Sequence, residues 1–134
     1  MPKKSFLVIK NLGIRCYKEV FYSMKKFNER RKKYTNDEIW ILQHFPIYTT
    51  GISDKKKYPF FVFKSNRGGK ITFHGPGQQI IYFMIDLKRN RISPKVLMRK
   101  ICKIVISTLF FFNIKSYFNK KIPGIYVKKK KFVQ

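Results

Sequence analysis

The fold of this chain is decided by residues 67–78, which read Arg67-Gly68-Gly69-Lys70-Ile71-Thr72-Phe73-His74-Gly75-Pro76-Gly77-Gln78. The stretch holds four of the seven glycines, so its backbone must adopt positive φ angles or approach other main chain closely. Between the two glycine pairs, polar and apolar residues alternate as in a strand. The pattern predicts a strand edge with a glycine turn at each end, suited to holding a small ligand against main chain. The alternative is a plain β-hairpin whose His74 lies on the surface.

Composition indicates one domain with a packed core and an extreme charge. The chain has 134 residues, of which 44% are hydrophobic and 17% aromatic, and its net charge is +25. Such a charge indicates either an anionic partner or an AT-rich genome that favours lysine codons. Cys16 and Cys102 are too few for a disulfide framework, and their helical surroundings predict buried, unreactive thiols. With no targeting or membrane-spanning pattern, we expect a cytoplasmic protein.

Strand-like and helical patterns alternate along the chain, which predicts an α+β (α/β-like) fold with a two-layer mixed sheet and helices. Tyr17 to Phe27 shows helical spacing, and that helix is expected to reach Lys33. A second helix is expected to begin at Ser93-Pro94, with Ser as the N-cap and Pro at the first helical position. Strands are expected at residues 5–10, 39–43, 60–63, 80–87 and 122–127, the 80–87 strand being apolar enough for burial on both faces.

Residues 67–78 resemble the signature of the octanoyltransferases of lipoate biosynthesis, the LipB type, within the wider biotin/lipoate protein ligase fold. That signature reads Arg-Gly-Gly-x-x-Thr-aromatic-His-Gly-Pro-Gly-Gln, and every fixed position is matched. The ATP-dependent ligases of the same fold continue after the His with an acidic residue and Gly-Asn. The stretch therefore resembles the transferase branch.

The resemblance covers essentially the whole chain as a single, partial catalytic domain, residues 1–134. Residues 37–51 resemble the family's first core strand and the turn after it, in which His44 is expected to be structural. Residues 11–24 resemble the N-terminal entry from strand to helix. Pro123 to Val127 resembles the strand that leads to the family's catalytic lysine.

By this resemblance, the chain moves an octanoyl group from acyl carrier protein to a lysine of lipoyl domains through a cysteine thioester. The acceptors it implies are the lipoyl domains of 2-oxoacid dehydrogenases and the glycine cleavage H protein. It implies no cofactor, metal, nucleic acid or membrane. Lys131 matches the catalytic lysine, which lowers the pKa of the nucleophilic cysteine. The substrate-binding residues implied are Arg67, Gly68, Gly69, Lys70, Ile71, Thr72, Phe73 and His74. Arg67 would clamp a carboxylate or phosphate, and His74 would bind the acyl carbonyl or position backbone.

The family's nucleophilic cysteine follows the lysine at a distance, whereas this sequence ends three residues after Lys131. From sequence alone we expect a C-terminally truncated chain that lacks the nucleophile and is inactive or frameshifted. The four lysines 128–131 predict a run of A nucleotides in the gene. Slippage that adds one base there would shift the reading frame and replace Phe-Val-Gln with an amino-acid sequence resembling the family motif.

A second class of function is a non-catalytic basic module that binds nucleic acid through lysines and exposed aromatic rings. That function needs rings interleaved with lysines on an exposed sheet face. The aromatic residues fall mostly at positions expected in the core, so the sequence favours the transferase.

Overall fold

The computed structural model describes residues 6–133 and confirms the α+β fold class, with two helices and nine strands in the described part. The helices are α1 (Tyr17–Arg30) and α2 (Pro94–Phe111). The strands are β1 (Leu7–Arg15), β2 (Asp37–His44), β3 (Ile47–Thr50), β4 (Phe63–Lys64), β5 (Thr72–His74), β6 (Ile80–Met84), β7 (Tyr117–Asn119), β8 (Gly124–Val127) and β9 (Lys130–Val133). The chain divides between Ile85 and Asp86 into two compact units.

The first unit contains sheet A, in which β2 lies between β1 and β6. Strand β1 pairs with β2 in parallel and β6 pairs with β2 antiparallel, so the sheet is mixed, as predicted. From Trp40 to His44, alternate residues of β2 are buried, which is the period-two pattern of a sheet with one covered face. Trp40, Leu42 and His44 all lie on that face.

Helix α1 covers this face and builds the core of the first unit. Val20 of α1 packs with Trp40, Leu42 and Met84, and partly buried side chains on the same helical stripe extend the contact. Helix and sheet thus form two layers. The helix ends at Arg30, earlier than predicted, because Arg31 is extended and its guanidinium donates to Asp37 Oδ1 at 2.7 Å.

Sheet B, also in the first unit, has β3 between β4 and β5. It is mixed as well, since β4 runs parallel and β5 antiparallel to β3. Strand β5 comes from the 67–78 stretch and occupies an edge of this sheet, as predicted. The turns that flank β5 contain Gly69 and Gly77, whose φ angles are +87° and +86°, so the glycine requirement is confirmed at one position on each side.

The second unit contains α2 and the antiparallel sheet C, in order β7, β8, β9. The predicted start of α2 is confirmed, because the Ser93 hydroxyl accepts from the amide of Val96 at 3.3 Å and Pro94 is the first helical residue. Strands β8 and β9 are joined by Lys128 and Lys129, whose φ angles of +46° and +65° are those of a tight hairpin turn.

Several local predictions were wrong. The 80–87 strand ends at Met84 and is not buried on both faces, because sheet A has one covered face and leaves Ile81 and Phe83 exposed. The 60–63 strand is reduced to β4, and the 122–127 strand begins at Gly124. The strand predicted for residues 5–10 runs as β1 from Leu7 to Arg15, and Ser5 lies outside the described residues.

Candidate functional site

The candidate site centres on residues 67–70, here called the glycine loop, which precede β5. Arg67 lies inside the loop and not on its outer side. Its Nη1 donates to the Gly68 carbonyl at 2.8 Å, and its Nη2 donates to the Lys70 carbonyl at 3.0 Å. The same Nη2 reaches both the carbonyl and the hydroxyl of Thr49, each at 3.0 Å. The guanidinium therefore joins the two ends of the loop to strand β3.

Close backbone contact fixes the loop from the other side. A Cβ built on Gly51 would lie 2.4 Å from the Gly69 oxygen and 2.7 Å from the Arg67 oxygen, so only glycine fits there. The Ile52 amide donates to the Arg67 carbonyl at 2.9 Å. Ser65, which precedes the loop, is also bonded to strand β3, because its hydroxyl donates to the Thr50 carbonyl at 3.0 Å. The loop is thus a fixed continuation of sheet B.

Two carbonyl groups of the glycine loop accept hydrogen bonds from the guanidinium, whereas the amide groups of its last three residues donate no hydrogen bond to the described part of the chain. Within residues 6–133, no acceptor contacts the amides of Gly68, Gly69 or Lys70, and all three residues are exposed. Consecutive amides without acceptors, one of them at a glycine with positive φ, can bind an anionic or carbonyl oxygen. This is the chemical capacity that the loop offers.

Two tyrosines and two histidines form a cluster on the inner side of β5, in which Tyr17 and His44 are buried and Tyr82 and His74 partly buried. Tyr17, at the start of α1, stacks on His74 with ring centroids 5.6 Å apart and meets His44 edge-on at 4.9 Å. His44 is fully buried, and both ring nitrogens are used, one with the Arg15 carbonyl at 3.0 Å and one with the Tyr82 hydroxyl at 2.9 Å. These contacts are those of a structural histidine, as expected from sequence.

His74 differs from His44 because one of its nitrogens is unused. Its Nε2 lies 3.1 Å from the hydroxyl of Thr49, a buried side chain that also receives the Arg67 bond. Its Nδ1 is buried without a hydrogen-bond partner in the described part of the chain, although the Gln78 side chain comes near enough to favour the protonated ring. An unpaired buried ring nitrogen is costly unless a ligand completes it.

Burial determines the protonation of the cluster. Desolvation lowers the pKa of His74, and the nearby His44 and Arg67 lower it further. Desolvation also lowers the pKa of His44, against the opposing effect of the Arg15 carbonyl. Burial raises the pKa of the Tyr82 hydroxyl. At neutral pH both imidazoles are therefore uncharged, and each can donate one hydrogen bond from one ring nitrogen and accept one at the other.

The remaining sequence-predicted residues divide between the two units. Lys70, Ile71, Thr72 and Phe73 lie with Arg67 and His74 in the first unit, Phe73 being half exposed on the opposite face of β5 from His74. Lys131 lies in β9 of the second unit, where it is exposed and pairs across the hairpin with Tyr126. The structure thus brings the substrate-binding candidates together, whereas Lys131 belongs to the other unit.

The roles of Thr49, Gly51, Tyr17 and Tyr82 were not predicted. Thr49 and Arg67 are 18 residues apart, and no pattern in the sequence shows that β3 pairs with β5. The expectation for the cysteines was partly wrong, because Cys16 is exposed and Cys102 is only partly covered. Cys16 occupies the N-cap position of α1, outside the buried stripe.

The expectation that aromatic residues lie mostly in the core was also wrong, since fifteen Phe and Tyr side chains among the described residues are exposed. Sheet faces without a covering layer hold some of them, among them Tyr48 and Phe73 on sheet B and Phe83 on sheet A. One such face, on sheet B, adjoins a cleft of about 290 Å³ that is lined by Thr50, Asp54, Lys55, Lys56, Tyr58, Phe60, Val62 and Lys64.

Within residues 6–133, neither helix is long and apolar enough to cross a membrane. The same residues contain no group of three or more His, Cys, Asp and Glu side chains placed to hold a metal ion.

Comparison with known proteins adds three findings. The family model of the lipoyl protein ligase A/B catalytic domain matches residues 17–133. The octanoyltransferase of Buchnera aphidicola subsp. Acyrthosiphon pisum (strain APS) is 43% identical over 134 residues, which cover 96% of this chain and 64% of that protein. The octanoyltransferase of Wigglesworthia glossinidia brevipalpis is 48% identical over 135 residues, which cover 98% of this chain and 61% of that protein.

Among solved structures, the chain resembles lipoate-protein ligase A bound with ATP, with a TM-score of 0.65 at 11% identity. The match covers 96% of this chain and 58% of that chain, and at this identity it concerns the fold alone. The present chain spans less than two thirds of the length of the curated relatives described above.

Proposed function

The chain belongs to the lipoyl protein ligase A/B catalytic domain family, and on that premise we propose that it acts in octanoyl transfer during lipoate biosynthesis. The donor is octanoyl-acyl carrier protein, and the acceptor is a lysine of the lipoyl domains of 2-oxoacid dehydrogenases or of the glycine cleavage H protein. Curated relatives at 43% and 48% identity carry the name octanoyltransferase. The observation that carries the proposal is the anchored glycine loop with its unused amides, followed in the same stretch by an unpaired His74 nitrogen.

In this proposal Arg67 shapes the substrate site from within. Its donors are directed to carbonyls and to Thr49, so its contribution is to hold the loop carbonyls inward and leave the amides outward. The acyl thioester would lie along Gly68 and Gly69, where the absence of side chains allows close approach. This role differs from the direct carboxylate or phosphate clamp that the residue type alone suggests.

His74 would donate a hydrogen bond to the acyl carbonyl. Arg67 already donates to Thr49 Oγ1, so the Thr49 hydroxyl hydrogen is available to His74 Nε2. We infer that the imidazole proton then resides on Nδ1, the nitrogen without a partner. A neutral donor at this place would stabilise the negative charge that develops on the carbonyl oxygen during acyl transfer.

The chemistry proposed has two steps. A cysteine thiolate attacks the thioester carbonyl, forms a new thioester and releases the carrier's thiol. The neutral ε-amine of the acceptor lysine then attacks the enzyme thioester, forms an amide, loses a proton and regenerates the thiolate. By resemblance, Lys131 would lower the pKa of that cysteine, which in the family lies downstream of the lysine.

The proposal is tested with the 134-residue chain and a small donor, S-octanoyl-pantetheine. We expect the donor to shift the amide resonances of Gly68, Gly69 and Lys70 and the imidazole resonances of His74. A thioester that leaves the loop and His74 resonances unchanged would refute the proposal.

A further inference from the structure

Four aromatic rings form a continuous row that begins on the outer face of sheet B and extends over the loop before β4. Tyr48 and Phe73 are directly opposite each other on β3 and β5, with ring centroids 5.1 Å apart. Phe60 lies 4.8 Å from Tyr48, and Tyr58 lies 5.8 Å from Phe60. Tyr48, Phe60 and Phe73 are each 41–49% exposed. We call these four residues the ring row.

One end of the ring row meets a cationic cleft. Tyr58 and Phe60 belong to the lining of the 290 Å³ cleft described above, together with Lys55, Lys56 and Lys64. Lys57 is exposed beside them. Residues 51–78 hold six Lys and Arg residues against a single acidic residue, Asp54.

Asp54 offsets only one of these six positive charges, and its carboxylate is held within the loop. It accepts from the Thr50 hydroxyl at 2.8 Å, from the Lys56 amide at 3.0 Å and from the Tyr58 hydroxyl at 2.8 Å. The side chain is buried, at 9% exposure, and the hydrogen bond from Thr50 is the main cause that lowers the pKa of Asp54 to about 2. These bonds fix the turn that presents the neighbouring lysines.

An apolar strip beside a rim of like charge is the composition of a protein–protein interface whose partner is acidic. We propose that the ring row and the cleft lysines form the docking surface for the acidic carrier protein that delivers the acyl group. The inference rests on the proposed function, since the partner is its acyl donor. Strand β5 connects the two sites directly, because Phe73 lies on the outer face and its neighbour His74 lies on the buried face.

The geometry favours a protein over single-stranded nucleic acid. Base stacking needs ring faces that are open to a base. Here each ring of the row contacts a neighbour at an interplanar angle of 38–55°, so the rings cover part of each other's faces and form one apolar strip. Such a strip matches apolar side chains that are framed by carboxylates.

The first test uses the unaltered chain and acyl carrier protein without an acyl group. Hydrogen exchange is measured with and without the carrier, and we expect protection of amides in residues 47–64 and 72–74. Protection confined to other segments overturns the proposal, and so does protection of this face by a lipoyl domain but not by the carrier. The proposal is also overturned if a single-stranded RNA oligomer protects this face and displaces the carrier.

The second test changes the charge at two places by the same amount. Replacing Lys55, Lys56 and Lys57 with Glu should weaken carrier binding by about tenfold or more at low salt. The matched control replaces three lysines that are exposed on α2 with Glu, namely Lys95, Lys100 and Lys103. This control should change the affinity for the carrier by no more than about twofold. Equal loss in both variants would mean that only net charge matters and would overturn the proposal.

A third variant separates the rings from the charges. Phe60→Ser should weaken carrier binding at both low and high salt, because it removes apolar contact and no charge. Far-ultraviolet circular dichroism checks that each variant folds, and the exchange experiment on the unaltered chain decides if one does not. Unchanged affinity in a folded Phe60→Ser chain would remove the ring row from the interface.

Failure of this inference is distinguishable from failure of the proposed function. If S-octanoyl-pantetheine perturbs the glycine loop but the carrier does not protect the outer face, the docking surface is wrong and the function stands. If the carrier protects this face and the small thioester leaves the loop unperturbed, the assignment of the substrate site is wrong and the docking surface stands.

Discussion

The substitution Gly51→Ala tests most directly whether the glycine loop owes its shape to close backbone packing. The added methyl group would meet only backbone atoms: the Gly69 oxygen at 2.4 Å, the Arg67 oxygen at 2.7 Å and the Gly68 carbonyl carbon at 2.8 Å. A flexible side chain could rotate away from such a contact, whereas backbone atoms can move only if the whole loop moves. We therefore expect the loop to be displaced as a unit.

The magnitude follows from these distances. Ordinary contact begins near 3.4 Å, so the Gly69 oxygen must retreat by roughly 1 Å. Overpacking of this kind costs about 1–3 kcal/mol. A shift of that size also breaks the 2.9 Å bond from the Ile52 amide to the Arg67 carbonyl, which adds about 1 kcal/mol. The free energy of unfolding should fall by about 2–4 kcal/mol, or by less if the loop detaches while the rest of the first unit stays folded.

Urea denaturation gives the global loss, and hydrogen exchange at the Ile52 amide gives the local one. The control is Gly68→Ala, because a Cβ at Gly68 meets no atom within 4 Å and its backbone is not in the left-handed region. That control should stay within about 0.5 kcal/mol of the unaltered chain. The reasoning is refuted if Gly51→Ala unfolds at the same urea concentration and keeps the Ile52 amide protected.

Three further predictions concern the loop, the buried histidines and the hairpin. Arg67→Lys keeps the positive charge but removes the planar set of guanidinium donors. Hydrogen exchange in the glycine loop should therefore rise, and the free energy of unfolding should fall by about 2 kcal/mol. An unchanged exchange pattern would contradict this. Because burial lowers the pKa values of His44 and His74 below 6.5, the unfolded chain binds protons that the folded chain does not. Stability to urea should therefore be fully present above pH 6.5 and fall with decreasing pH below it, and His74→Gln should reduce that slope. Replacing Lys128 and Lys129, at φ angles of +46° and +65°, with Asn and Gly should raise the free energy of unfolding by about 1 kcal/mol; no change in thermal midpoint would argue against strain in this turn.

The sequence predicts best where local chemistry decides the structure. Ser93-Pro94 begins a helix because hydroxyl capping and the fixed proline angle act within one turn, and the structure has that helix start. The glycine turns on either side of β5 were predictable for the same reason, since positive φ angles are a local demand. The class of fold follows from the alternation of such local signals.

Contacts between distant residues were beyond a single sequence. A period of two shows that Phe73 and His74 face opposite ways, but it does not show which of the two faces will be covered. The rigid fork of Arg67 suggests an external anion, yet in the structure its donors are used by Gly68, Lys70 and Thr49. Only the pairing of β3 with β5 brings Thr49 into reach, and that pairing is decided by the whole sheet.

The alternation along β5 has a consequence for how the two proposed sites are linked. Thr72 and His74 lie on the side of Thr49 and the buried rings, whereas Phe73 belongs to the exposed ring row. The side chains on the two faces of a strand cannot move independently, because a backbone shift that moves one side chain moves its neighbours as well. Contact of a carrier with Phe73 would therefore be transmitted to His74 through one peptide unit. Binding of the carrier at the outer face and orientation of the acyl carbonyl at the inner face are thus expected to be coupled, and Phe73→Leu should weaken that coupling more than it weakens the fold.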